Sequence, residues 1–220
     1  MPGIKSIAML ASLALLAAIG APHTAAAGQT DPFLCYKVKK SRGGEKFSKV
    51  FGLELTDSFE TGAFDVKKPR SLCLPADVDA NPALDTATHL VSYRVKPVKG
   101  SPRHQRVNDF RVATELGVVF LDTVKADSLL LPSAKDLNNV TAPLDGAAHG
   151  VDHFKCYKVR KPKGFKKIAG VGIADQFAQG KDYELKKPSR LCLPVDQAGQ
   201  GVKDPTSHLL CYKAKPSEKA

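Results

Sequence analysis

The sequence predicts an all-β protein of three tandem quasi-repeats of about 60 residues, which share strands at their joints and form a disulfide-stapled sandwich or barrel. A six-residue phrase recurs at residues 32–37, 89–94, 153–158 and 208–213. From the tyrosine of each phrase onward, apolar and basic residues alternate, which is the period of a half-buried strand. After residue 27, no segment keeps a helical period over three turns.

A second motif divides the chain into units. Residues 66–75 and 185–194 agree at seven of ten positions, including Lys-Lys-Pro and Leu-Cys-Leu-Pro, and lie about 120 residues apart. Between them, Leu129-Leu130-Leu131-Pro132 stands where a third copy is expected. The sequence therefore predicts unit 1 over residues 28–98, a degenerate unit 2 over 99–152 and unit 3 over 153–220.

The cysteines follow the same units. Pairing each phrase cysteine with the Leu-Cys-Leu-Pro cysteine of its own unit joins Cys35 to Cys73 and Cys156 to Cys192. This scheme leaves Cys211 alone, whereas pairing each Leu-Cys-Leu-Pro cysteine with the following phrase leaves three cysteines alone. We therefore predict the first scheme, with Cys211 either a buried free thiol or the site of a disulfide to a second chain.

The N-terminus has the pattern of a secretory leader over residues 1–27. Lys5 precedes an apolar run at residues 7–21, and Ala25-Ala26-Ala27 offers small residues for cleavage. The run is shorter than the ~20 residues that a membrane span needs. We expect export to the periplasm, cell surface or exterior, where disulfides persist, and no transmembrane span.

Basic residues are the most informative functional feature. The formal net charge is +11, which favours anionic partners. In all four phrases, the two positions that alternate with the apolar residues are basic: Lys37, Lys39, Arg94, Lys96, Lys158, Arg160, Lys213 and Lys215. They predict a cationic stripe for an anionic polysaccharide, an envelope surface or an acidic protein. The alternative is a solvated face that protects strand edges from aggregation.

Nucleic acid is not an expected partner, because the chain contains no Trp and few aromatic residues that would stack on bases. No nucleophile elbow, phosphate loop or dinucleotide fingerprint is present, so no catalytic residue and no cofactor is expected.

Each unit also places an Asp four residues before a His, which would suit a metal-dependent hydrolase. A turn capped by the Asp is the structural alternative, and we favour it. The pairs are Asp85/His89, Asp145/His149 and Asp204/His208. The oxygen-rich segment Asp77, Asp79, Asn81 and Asp85 is a weak calcium candidate, because Pro82 stands where calcium loops need Gly.

Taken together, the phrase His-x-x-Cys-Tyr-Lys, the block Lys-Lys-Pro-x-x-Leu-Cys-x-Pro and the following Asp-x-x-x-His-Leu resemble an uncharacterised repeated domain of exported bacterial proteins. The resemblance covers nearly the whole chain after the leader and is faint in unit 2, where Ser92 and Leu130 replace cysteines. It implies export and a disulfide-containing module, without an activity. We expect a non-catalytic module that binds an anionic partner; the alternative is a structural envelope component whose charge serves solubility.

Overall fold

The computed structural model describes residues 30–217, apart from residues 137, 140, 147, 148, 161 and 163. The leader expected at residues 1–27 lies outside the described residues. The described part of the chain is built of strands and contains no α-helix, so the all-β prediction is confirmed.

The strands fall into two similar sets with a different segment between them. The N-terminal set contains β1 (Phe33–Lys37), β2 (Val50–Thr56), β3 (Thr61–Pro75), β4 (Asp77–Val78) and β5 (His89–Pro97). The middle segment contains β6 (Phe110–Thr114), β7 (Gly117–Leu121) and β8 (Thr123–Ser133). The C-terminal set contains β9 (Phe154–Val159), β10 (Ile168–Ala174), β11 (Lys181–Pro194), β12 (Asp196–Gln197) and β13 (Leu209–Pro216).

These strands form one open antiparallel sheet of 11 strands and one separate hairpin, β6–β7. The main path through the large sheet is β12-β2-β3-β5-β8-β9-β11-β10-β4, with β1 beside β3 and β13 beside β11. The choice between a sandwich and a barrel stays a prediction.

The two sets pair their strands in the same way. Along one edge, β3 pairs with β5 over its length, and on the other edge with β2 and then β1. In the C-terminal set, β11 pairs likewise with β13, and on its other edge with β10 and then β9. Register shifts occur at Pro69 and Pro188, because proline offers no N–H to the ladder.

Each set also completes the edge of the other. Strand β4 of the N-terminal set pairs with β10, and β12 of the C-terminal set pairs with β2. The hydroxyl of Tyr36 donates to Asp175 at 3.1 Å, and the hydroxyl of Tyr157 donates to Asp57 at 2.7 Å. These reciprocal contacts relate the sets by an approximate twofold exchange. We call residues at the same position in the two sets counterparts.

The middle segment breaks this symmetry. Strand β8 pairs with β5 on one side and with β9 on the other. Under the approximate exchange of the two sets, β5 corresponds to β13, and β9 corresponds to β1. No described strand lies between β13 and β1, so each of these two strands is an edge of the sheet.

Both expected disulfides are present and join register partners. Cys35 is bonded to Cys73 (the first disulfide, S–S 2.03 Å), and Cys156 to Cys192 (the second disulfide, S–S 2.05 Å). Cys211 is a free thiol. The within-unit pairing therefore matches the structure.

Candidate functional site

All eight basic residues of the phrases are exposed. The structure arranges them in two groups. Arg94, Lys96, Lys158 and Arg160 lie on or just after β5 and β9, the strands that flank β8. Lys37, Lys39, Lys213 and Lys215 lie on or just after β1 and β13, the two sheet edges. A single continuous stripe stays a prediction.

Asp127 is the centre of the first group. Its Oδ2 lies 2.9 Å from Arg70 Nη1 and 2.6 Å from Arg190 Nε, and its Oδ1 lies 3.7 Å from Lys158 Nζ. The carboxylate is 8% exposed, whereas the three cations remain between 30% and 47% exposed. Burial opposes ionisation, but the hydrogen bond and charge of Arg190, with Arg70 and Lys158, lower the pKa of Asp127.

The charge around Asp127 is not balanced. Three cations share one carboxylate, and Lys125 is the register partner of Lys158 on the next strand. Because register partners lie on one face of a sheet, Lys125 adds to the same positive surface. Arg94 is the register partner of Ser128, beside Asp127. The arrangement holds the cations in place and leaves a positive surplus facing solvent, which is suited to anions.

A second charged cluster is buried and was missed from the sequence. The side chain of Lys155 is 0% exposed, and its Nζ lies 3.1 Å from Asp57 Oδ2 and 3.3 Å from Glu60 Oε1, without a well-aligned hydrogen bond to either. Nζ also lies 4.7 Å from the centroid of the Phe64 ring. Tyr157 donates to the same two carboxylates, at 2.7 and 3.1 Å. The cluster joins β9 to the turn after β2.

His104 extends this cluster. Its Nδ1 lies 2.9 Å from Glu60 Oε2, and its Nε2 lies 2.8 Å from Thr123 Oγ1. Burial opposes ionisation of Glu60, but the hydrogen bond to His104 and the charge of Lys155 lower its pKa. Burial raises the pKa of Tyr157, and the two carboxylates raise it further. The Lys155 side chain is closed to solvent, so the arrangement supports the packing of the two sets.

One sequence signal pointed to Lys155. In the four phrases, the position before the Cys or Ser is Leu34, Val91, Lys155 and Leu210. A charged residue where the other copies are apolar needs a buried counter-ion. Comparison of the four phrases therefore shows that Lys155 is unusual. It does not show which residues pair with Lys155, because Asp57 and Glu60 lie about 100 residues away in the chain.

Two of the three Asp/His pairs form turns. Asp85 Oδ1 accepts the backbone N–H groups of Ala87 and Thr88, and His89 Nδ1 lies 2.7 Å from the carbonyl oxygen of Ala87. Asp204 and His208 make the same contacts around Thr206. These hydrogen bonds favour the turn interpretation over a hydrolytic pair. Burial lowers the pKa of His89, which favours the neutral form of its ring.

The third pair contacts the C-terminal set. His149 Nδ1 lies 3.4 Å from Lys203 Nζ, which also donates to the carbonyl oxygens of Gly146 and His149. Burial and the charge of Lys203 lower the pKa of His149. A cationic neighbour at this distance opposes the binding of a metal ion to the ring.

The calcium candidates also serve the backbone. Asp77 accepts the N–H of Ala83, and Asp79 accepts the N–H of Gly172 across the interface between the two sets. The amide of Asn81 donates to the carbonyl oxygen of Val78. Among the described residues, no group of three or more His, Cys, Asp or Glu side chains is placed to hold a metal ion. The segment is an Asx-rich turn that fixes β4 against β10.

An open cleft of about 530 Å³ lies between the two sets, beside β4. Asp77, His89, Asp175 and Gln176 line it. Of the proposed hydrolytic pair, only His89 reaches this cleft, because Asp85 points into its own turn. The cleft therefore does not hold the Asp85/His89 pair that was considered for hydrolysis.

Cys211 lies beside the second disulfide, with its Sγ 3.7 Å from Cys192 Sγ. Burial raises the pKa of the Cys211 thiol. The first disulfide is more accessible, because Cys35 is exposed whereas Cys156 and Cys192 are 0% exposed.

Comparison with known proteins returned no match: neither a family model, nor a curated protein, nor a solved structure is similar to this chain. Within the residues that the structure describes, no helix has the length and apolar character required to cross a membrane. The disulfides are consistent with a compartment outside the cytoplasm. The resemblance to the repeated exported domain stays a prediction.

Proposed function

We propose that the protein is an exported, non-catalytic β-rich module of three tandem units, which binds an anionic surface or polymer through its basic strand faces. The proposed units cover residues 28–98, 99–152 and 153–220. The observation that carries the binding proposal is the cluster of Arg70, Lys158 and Arg190 around the nearly buried Asp127. Charged side chains that serve only solubility do not have to be held in fixed positions. A cation that a carboxylate already holds in place loses less side-chain entropy when it binds an anion.

The repeated exposure of the phrase cations supports the same proposal. The alternating apolar residues of β5 and β9 are more buried: Val95 is 2% exposed and Tyr157 is 0% exposed. Strand geometry therefore directs the basic side chains outward in both places. An anionic polysaccharide, an anionic envelope surface or an acidic protein presents the closely spaced negative charge that these faces fit.

The test is retention on a heparin or lipopolysaccharide matrix in a salt gradient. One variant replaces Arg94, Lys96, Lys158 and Arg160 by Gln, and a second replaces Lys37, Lys39, Lys213 and Lys215 by Gln. A control variant removes four exposed charges elsewhere, at Lys99, Arg103, Arg106 and Lys181. All three variants lose the same formal charge, so non-specific attraction falls equally.

We expect the first two variants to elute at clearly lower salt than the control, because localised charge contacts are lost and are screened by salt. Equal elution of all three variants would refute a specific face and support the alternative, a structural envelope component whose charge serves solubility. The use of Asp carboxylates as turn caps favours that alternative, since it gives them a structural role.

A further inference from the structure

The approximate exchange of the two sets shows a strand position that no described residue occupies. On one side of the sheet, β8 lies between β5 and β9. Their counterparts on the other side are β13 and β1, which carry the same phrase and pair with the counterpart long strands β11 and β3. No described strand lies between β13 and β1, which is the position equivalent to that of β8 between β5 and β9. The edges converge at one end, where Thr30 Oγ1 and Ser207 Oγ, just before β1 and β13, form a hydrogen bond, so an added strand would lie along β1 and β13 beyond this contact.

Burial differs in the way that a missing strand requires. Phe154 and Cys156 on β9, beside β8, are both 0% exposed. Their counterparts on β1 are Phe33, which is half-buried, and Cys35, which is exposed. Leu90 on β5 is 0% exposed, whereas its counterpart on β13, Leu209, is half-buried.

The apolar clusters differ in the same way. The cluster around Tyr157 includes Ala126 and Leu129 of β8, with Leu131 packed against it. The counterpart cluster around Tyr36 contains residues of β1, β10, β11 and β13 and receives no strand in the place of β8. Its Tyr212 corresponds to Tyr93, the register partner of Leu129. An apolar surface is therefore left where β8 covers its equivalent.

Charge indicates what the occupant carries. In the occupied site, Asp127 of β8 lies 3.7 Å from Lys158, whose counterpart on β1 is Lys37. Its two closer cations, Arg70 and Arg190, correspond to Ser189 and Ser71, so the lysines supply the positive charge at the open site. Lys37, Lys39 and Lys213 form no ion pair with any described residue. An incoming strand with an acidic residue at the position of Asp127 would meet this positive rim.

We propose that the gap between β1 and β13 binds an extended strand of a partner protein, antiparallel to both edges, with the chemistry of β8: closely spaced apolar residues and an acidic residue facing the lysines. Such strand addition satisfies the backbone groups of both edges and closes the sheet. This inference concerns a protein partner and shares Lys37, Lys39 and Lys213 with the basic faces proposed above, but the peptide experiment measures strand binding without a polymer.

The probe is a fluorescent peptide with the sequence of residues 122–134, which contains β8. With the oxidised protein we expect saturable binding, seen as anisotropy, below about 100 μM. Asp127→Lys in the peptide, or Lys37→Glu with Lys213→Glu in the protein, should each weaken binding at least about 10-fold. Combining the two reversals should restore binding, because opposite charges again face each other. All of these substitutions are at exposed positions of the protein or in the peptide, so the fold is retained.

Disulfide trapping tests the register. Leu130 is the register partner of Ser92, whose counterpart is Cys211. A peptide with Leu130→Cys, activated as its mixed disulfide with pyridine-2-thiol, should exchange with the Cys211 thiol and release pyridine-2-thione. A peptide with Leu129→Cys presents its sulfur on the opposite face and should react at least about 10-fold more slowly. The Cys211→Ser protein is the control for attachment elsewhere.

Three outcomes would overturn the proposal. The first is no saturable binding by the unmodified peptide, and the second is equal trapping of the two cysteine peptides. The third is a stable dimer that excludes the peptide and covers Cys211, which would assign the gap to a second copy of this chain. Peptide mapping of the trapped product distinguishes attachment at Cys211 from attachment at the second disulfide.

Discussion

Replacement of Lys155 by methionine tests the buried charge cluster. Methionine keeps the length of the apolar stem and its packing against Phe64, but removes the charge between Asp57 and Glu60. The counterpart of Lys155 is Leu34, and the counterpart of Glu60 is Ala178, so the second copy of this site is built without the ion pair. The fold therefore tolerates an apolar residue at this position, although Asp175, the counterpart of Asp57, keeps its carboxylate.

The expected loss follows from the burial of the partners. The side chains of Lys155 and Asp57 are both 0% exposed, and that of Glu60 is 20% exposed. Removing one partner of a buried ion pair costs about 3–5 kcal/mol, because the remaining charge is left uncompensated. At roughly 2–4 °C per kcal/mol for a chain of this size, the melting temperature should fall by roughly 6–20 °C.

The assay is urea unfolding of a double-mutant cycle with Lys155→Met and Glu60→Gln. Glutamine keeps a hydrogen-bonding oxygen for Tyr157 and His104 but has no charge. The double variant should be at least about 1 kcal/mol more stable than the sum of the two single losses predicts. Leu34→Met, at the counterpart position, controls for side-chain volume and should cost less than about 1.5 kcal/mol.

Additivity of the two substitutions within about 0.5 kcal/mol would refute the reasoning, because it would show that the two charges are not coupled. So would a loss below about 1 kcal/mol for Lys155→Met alone, since a charge pair that is truly buried cannot be broken so easily.

Three further predictions rest on the same structure. In Asp127→Asn, thermal stability at neutral pH should fall, and the difference from the unmodified protein should shrink below about pH 4. The reason is that a carboxylate whose pKa is lowered by folding stabilises the protein at pH values above its unfolded pKa, and this stabilisation is lost as the pH falls through its folded pKa. A stability difference that does not change with pH would contradict this. Under limited reduction, the first disulfide should open before the second, because the attacking thiolate must reach a sulfur atom and Cys35 is exposed. Alkylation and mass spectrometry give the order of opening, and the reverse order would contradict the burial of Cys156. Tyr157→Phe should lower the free energy of unfolding by about 1–3 kcal/mol, because it removes a donor from buried carboxylates. Tyr36→Phe should lower it by only about 0.5–1.5 kcal/mol. The measurement is urea unfolding, and the opposite ranking of the two variants would count against the cluster around Lys155.

The segments that recur within the chain account for the features that could be predicted from the sequence. Two copies with the same spacing fixed the strand phrase, the pairing of Cys35 with Cys73, and the outward direction of the basic residues. These features are local to one unit or follow from a period of two. The Asp127 site was not predictable in this way, because its Arg70 and Arg190 come from the two different strand sets and Asp127 itself lies in the segment between them.

The sequence by itself determined an all-β chain, its recurring strands and the cysteines that can pair within a unit, because alternation and repetition are written in neighbouring residues. Tertiary structure alone decided that each set completes the other's edge, that Lys155 meets Asp57 and Glu60, and that β8 fills one position while no described strand fills its equivalent. The physical reason is that edge pairing and buried charge pairing join segments far apart in the chain, and neither strand set by itself carries information about which segment will cover it.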